Sequence, residues 1–92
     1  MAAKKETYIR RQIQDYLRYS GWYTYHNLQG LGSYRGLSDL VAVKDGRVIH
    51  LEIKTPKGRQ SDYQQRFQAD LEAAGGEYRI ARDIEDVRDL GK

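Results

Sequence analysis

The stretch Asp39-Leu40-Val41-Ala42-Val43-Lys44-Asp45-Gly46-Arg47-Val48-Ile49-His50-Leu51-Glu52-Ile53-Lys54 decides how this chain folds. Two β-type runs, Leu40 to Val43 and Arg47 to Lys54, flank Asp45-Gly46, a pair suited to a type I′ hairpin turn because both central positions need positive φ. With those two residues as the loop, Lys44 pairs with Arg47, Val43 with Val48 and Leu40 with Leu51, and one further step sets Asp39 against Glu52. Directly opposed residues have Cβ atoms roughly 4.5 to 5.5 Å apart, where like charges repel, so something positive belongs between these carboxylates. Side chains alternate along a strand, which puts Glu52 and Lys54 on one face and Ile49, Leu51 and Ile53 on the other. Asp39, Glu52 and Lys54 therefore converge at the open end of the hairpin.

Upstream, Ile9, Ile13, Tyr16 and Leu17 recur at helical spacing between Lys5 and Ser20, and Gly21 stands where helices commonly end in glycine. Trp22 to Asn27 reads as an aromatic-rich strand, followed by a loose Gly-rich loop from Gln29 to Gly36. That loop lacks the Gly-Lys-Ser/Thr ending of a phosphate cradle and leads into no helix, so it reads as a plain mobile connection. Downstream of Pro56, Ser61 and Gln64 form a capping-box pattern, and Tyr63, Phe67, Leu71 and Ala74 give one apolar helical face ending at Gly75-Gly76. Glu77 to Ala81 adds a last strand, and Asp83 caps a short terminal helix carrying Ile84, Val87 and Leu90. The order is α-β-β-β-α-β with a short C-terminal helix: an α/β fold with a mixed sheet flanked by helices, in one domain over residues 1–92.

Ninety-two residues with 39% hydrophobic and 32% charged side chains sit in the globular range, with a thin core. The absence of cysteine excludes a disulfide framework and a thiolate zinc site and fits a cytoplasmic setting. No apolar run approaches the roughly 18 residues of a membrane span, and the start has no signal-peptide core. A net charge of +3 is compatible with a phosphate-bearing partner but is too small to identify one.

Two carboxylates beside a lysine suit a hard divalent cation such as Mg²⁺, with Mn²⁺ able to substitute, which takes carboxylate oxygens and keeps waters on its remaining positions. Such a centre activates a water and offsets charge on a phosphate, while Lys54 orients the nucleophile or stabilises developing negative charge. The bland alternative is a surface hairpin whose Asp, Glu and Lys screen one another.

Gly36-Leu37-Ser38-Asp39-Leu40, then Glu52-Ile53-Lys54, then Ser61-x-x-Gln64-x-x-Phe67 and Gly75-Gly76, in this order and spacing, resemble the VRR-NUC (virus-type replication-repair nuclease) branch of the PD-(D/E)xK superfamily, whose core is restriction-endonuclease-like. The resemblance runs from about Glu6 to Leu90 and implies a stand-alone nuclease module. It implies that Asp39, Glu52 and the main-chain carbonyl of Ile53 hold the metal, that Lys54 works on the attacking water, and that Glu6 and Gln64 complete the catalytic set from the two helices. Many relatives carry proline before the motif aspartate, where this chain has Ser38.

Each helix residue has a structural alternative. Glu6 projects along the stripe of Ile9 and Ile13 toward the sheet, but a first-turn acid also complements the helix dipole. Gln64 is equally the capping partner of Ser61, and serving both roles requires its side chain to leave the cap. His50 shares the face of Glu52 and reads as a half-buried strand histidine, while His26 carries no functional reading. Arg35, Lys57 and Arg59 are candidate phosphate contacts, or ordinary solvated loop charges. The resemblance further implies a homodimeric, structure-selective endonuclease acting on branched DNA such as four-way (Holliday) junctions, with Trp22, Tyr23 and Tyr34 as interface candidates and Trp22 equally suited to the core. A restriction-like or RNA-directed nuclease of the same fold, and a non-catalytic nucleic-acid-binding module, are the alternatives.

Overall fold

The computed structural model describes residues 5–28 and 34–91. Helix α1 spans Glu6–Tyr19, strand β1 Tyr23–His26, β2 Leu40–Lys44, β3 Arg47–Ile53, helix α2 Asp62–Ala73 and β4 Glu77–Ala81, and a 3₁₀ helix over Ile84–Leu90 closes the chain. Among the described residues the strands form one four-stranded sheet in the order β1-β2-β3-β4. The first three strands are antiparallel neighbours, and β4 joins β3 in parallel through the α2 crossover, which makes the sheet mixed. Residues 29–33 of the Gly-rich loop lie outside the described residues.

The hairpin forms as its turn chemistry requires. Asp45 and Gly46 adopt φ of 51° and 83°, and the register runs from Lys44 opposite Arg47 to Leu40 opposite Leu51. One face of the sheet carries Leu40, Ala42, Ile49, Leu51, Ile53 and Ala81, which pack with Ile9, Ile13 and Leu17 of α1 and with Val87 and Leu90. Trp22 belongs to this core, and its indole N–H donates to the carbonyl of Leu90 at 2.9 Å.

Two elements depart from the sequence reading. The terminal helix is 3₁₀ rather than α. Its apolar residues Ile84, Val87 and Leu90 are spaced by three, and side chains at i and i+3 eclipse on a helix of three residues per turn, so this geometry puts all of them on one line facing α1. Helix α2 has no fully buried residue despite its apolar pattern. It covers only the β3–β4 side of the opposite sheet face, where the Phe67 ring packs 5.7 Å from His50, 6.1 Å from Tyr78 and 5.8 Å from Tyr34. Tyr63 is exposed on its outer side.

Candidate active site

The edge of β2 and the end of β3 bring the two carboxylates together as the register requires. Asp39 stands one residue before β2; its N–H donates to the Leu51 carbonyl at 3.1 Å, which continues the ladder. Its side chain reaches across the hairpin, and Oδ2 accepts from the N–H of Ile53 at 2.8 Å. Asn27 holds the same segment from the other side: its N–H donates to the Asp39 carbonyl at 3.0 Å and its side-chain amide to the Ser38 carbonyl at 2.9 Å.

Glu52 is a buried carboxylate, 1% exposed. Its Oε2 accepts from the Gln64 amide at 2.6 Å and lies 3.6 Å from the Lys54 ammonium. Its Oε1 is buried with no hydrogen-bond partner. Burial, followed by the charge of Asp39, pushes the Glu52 carboxyl up to about 8, and Lys54 pulls it back only in part. Glu6 sits exposed in the first turn of α1, close enough for its charge to add to the upward push on Glu52. Negative charge thus outweighs positive at this point, and an orphaned buried oxygen calls for a partner.

These features fit a hard cation bound by oxygen. Among the described residues no three or more His, Asp or Glu side chains form a closed cage. Two carboxylates plus the Ile53 carbonyl would be an open site that leaves positions for water, the habit of Mg²⁺.

Gln64 corrects the sequence reading. Its carbonyl oxygen accepts from the Ser61 N–H at 2.8 Å and completes the capping box, while its amide nitrogen donates to Glu52. A carboxamide has an acceptor end and a donor end, so the residue caps α2 and fixes Glu52 at once without leaving the cap. The cap ties the start of α2 to the carboxylate centre.

The structure separates the remaining candidates. Lys57 and Arg59 are exposed on the loop after Lys54. That loop is shaped by Arg82, whose guanidinium donates to the carbonyls of Thr55 at 2.8 Å and Gly58 at 2.7 Å. Arg35 lies 5.0 Å from the centre of the Tyr63 ring and donates to its hydroxyl at 2.7 Å, beside the first turn of α2. His50 is half-buried, as expected for a strand histidine, and burial lowers its pKa. Ser38, fully buried, bonds the Nδ1 of His50 at 3.0 Å and the amide of Asn27 at 3.2 Å. The Ser38 hydroxyl therefore links the aspartate segment to β3. Asn27 and Arg82 were not singled out by the sequence, and Ser38 was noted only as a motif position, because their partners are distant main-chain and ring atoms that no local pattern announces.

A solved structure of a VRR_NUC domain superposes on this chain with a TM-score of 0.81 at 19% identity, covering 96% of this chain and 95% of the other. The chain has the fold of that domain. The similarity spans both helices and the sheet that carry Asp39, Glu52, Lys54 and Gln64. No family model matches the sequence, and no curated protein matches it. At this level of identity the likeness establishes the VRR_NUC architecture, and the chemistry rests on the site itself.

Proposed function

We propose that this protein is a metal-dependent endonuclease that hydrolyses phosphodiester bonds in DNA, selectively in branched structures such as four-way junctions. The observation that carries the reading is the buried Glu52 carboxylate, with one orphaned oxygen, beside Asp39 and Lys54 on a VRR_NUC fold. Asp39, Glu52 and the Ile53 carbonyl would hold Mg²⁺ or Mn²⁺, which when bound lowers the pKa of a coordinated water and offsets charge on the phosphate. The chain's own groups complete the task. The Ile53 N–H aims Asp39, and Gln64 pins Glu52, so the ligand oxygens are pre-placed. Lys54, largely shielded from water, donates to the phosphoryl oxygens as negative charge grows in the transition state. Glu6 adds negative charge from α1, and Arg35, Lys57 and Arg59 lie on loops where they contact phosphates flanking the cut.

The reading further holds that the protein acts as a homodimer, with one centre for each of two strands. Supporting this, Tyr23 and Tyr25 of β1 are 68% and 44% exposed on a part of the sheet that α2 does not reach.

The test is incubation of the purified protein with labelled linear, flapped and four-way DNA in Mg²⁺, in Mn²⁺ and in chelator. The expected result is cation-dependent cutting of branched DNA that Asp39→Ala and Glu52→Ala abolish. Undiminished cutting in chelator, or full activity in either variant, would remove the assignment.

A further inference from the structure

Outside the carboxylate centre, a recess of about 280 Å³ lies between α1 and the end of β1. It is lined by Arg10, Arg11, Arg18, Gln14, Thr7 and His26, with Asp15 as its single carboxylate. The polar groups beneath it are used up internally. Gln14, 7% exposed, donates from its amide to Thr24 Oγ1 at 3.1 Å and turns its carbonyl oxygen to His26 Nε2 at 3.1 Å. The same Thr24 oxygen accepts from Arg18 Nε at 2.9 Å. With these acceptors occupied and Arg18 anchored through Nε alone, the guanidinium ends of the three arginines remain for a ligand and outnumber the Asp15 carboxylate.

Those arginines belong, with Arg35 and Arg59, to the set that forms no ion pair among the described residues, and they are the three of that set gathered in one recess. Arg47, Arg66, Arg79 and Arg88 each form an ion pair with a carboxylate, and Arg82 is spent on main-chain carbonyls. Among the described residues, Arg10, Arg11 and Arg18 form none, although Asp15 lies on the same helix.

The recess also adjoins the carboxylate centre from two directions. Glu6, Arg10, Gln14 and Arg18 form one i, i+4 row along α1, each step rising about 6 Å, so the row runs from the acid at the centre into the recess. On the strand side His26 pairs with Leu40, next to Asp39, and the following N–H, of Asn27, donates to the Asp39 carbonyl.

We propose that this recess is a binding subsite for a backbone phosphate of the nucleic-acid strand, displaced along that strand from the phosphate that is cut. The location rests on the nuclease reading, while the binding chemistry does not. Guanidinium forks match phosphate oxygens in planar, paired hydrogen bonds, and the Gln14–Thr24–Arg18 network holds Arg18 in place before the ligand arrives. Loop charges alone would leave the edge of the molecule beyond β2 without a phosphate contact; this subsite supplies one there.

The experiment measures binding, in chelator, of the full chain to fluorescein-labelled four-way and linear DNA by anisotropy across a salt series. Arg10→Gln and Arg18→Gln, each made singly, are compared with Arg88→Gln, which removes an equal charge from an exposed ion pair outside the recess. The recess variants should lose affinity roughly tenfold and flatten the slope of log K against log salt by about one for each lost phosphate contact, while Arg88→Gln changes neither. An unchanged slope in both recess variants would overturn the subsite, as would an equal loss in Arg88→Gln, which would mark a diffuse charge effect. If the wild type cuts no DNA in any cation yet the recess variants flatten the slope, the nuclease reading fails and the phosphate subsite stands.

Discussion

Glu52 is the residue on which the chemistry and the stability of this protein meet. Its carboxyl, raised to about 8 in the folded chain by burial and by Asp39, returns to an ordinary carboxylate value on unfolding. Between those two pH values the metal-free folded state holds a proton that the unfolded state has released. The stabilisation is therefore complete below the unfolded pKa and is lost as pH rises through the folded one. Each pH unit in that window weakens the metal-free fold by up to about 1.4 kcal/mol. Thermal melts in chelator should show the melting temperature falling from pH 5 to pH 8, and Glu52→Gln should flatten that fall; a wild-type profile that rises or stays level would contradict the assigned burial cost. Lys54 tests chemistry apart from binding. If, as proposed, it acts on charge that develops in the transition state, Lys54→Ala should lower the cleavage rate by about two orders of magnitude or more while DNA affinity changes little. A variant that binds more weakly but cuts normally when saturated would reduce Lys54 to a phosphate contact. Asp39, Glu52 and Lys54 could be brought together from the sequence because turn chemistry fixed one register. The double duty of Gln64 could not, because it depends on how close α2 comes to β3, which no spacing within either element reports.

That closeness is set by Gly36. The residue has φ of 81°, and a Cβ there would collide with the Tyr63 carbonyl and sit 2.8 Å from the Gln64 nitrogen. The loop ahead of Asp39 thus runs directly against the first turn of α2, at the residue whose side chain reaches Glu52. Gly36→Ala should cost roughly 2 kcal/mol or more, combining left-handed backbone strain with the clash, and should lower cation affinity and cleavage by drawing Gln64 off Glu52. Ser61→Ala offers a comparison: loss of its cap should cost about 1 kcal/mol without moving the loop. Calorimetry and Mn²⁺ titration of both variants separate the two effects, and a Gly36→Ala protein with wild-type cation affinity would show that the close approach does not matter to the site. The elements themselves were largely legible. Hairpin, capping box and strand runs each carry a local chemical reason, and all appear where that chemistry places them. The short terminal helix capped by Asp83 is present, and its 3₁₀ form follows from an apolar spacing of three, while α2 presents the expected apolar face to a sheet too narrow to bury it fully.

For the molecule as a whole, the proposed selectivity for branched DNA raises a question of size. Its longest dimension is 38 Å, close to the roughly 34 Å of one DNA helical turn, so a single copy can follow one duplex arm and no more. The described residues carry one carboxylate centre, whereas resolving a junction needs two cuts. A two-fold dimer meets both demands, and selectivity then comes from the spacing and orientation of two centres rather than from base contacts. The surface suited to pairing is the uncovered part of the sheet at the hairpin end, where Tyr23, Tyr25 and Val48 are 68%, 44% and 44% exposed. Val48 is four strand residues from Glu52, about 13 Å, so a partner docked there leaves the carboxylate centre open. Of the interface candidates read from sequence, Trp22 is committed to the core and Tyr34 packs beside Phe67 near α2, which leaves Tyr23 as the anchor. A standard interface of about 800 Å² per partner would cover roughly an eighth of the 6264 Å² surface, a feasible share for a stable pair. Sedimentation should show a dimer at micromolar concentration. Tyr23→Arg should give a monomer that still cuts in Mg²⁺ but treats four-way and linear DNA alike. A wild-type chain that sediments as a monomer, or that cuts linear duplex as readily as a junction, would remove the dimeric resolvase and leave a solitary nuclease whose selectivity must come from the phosphate contacts of one copy.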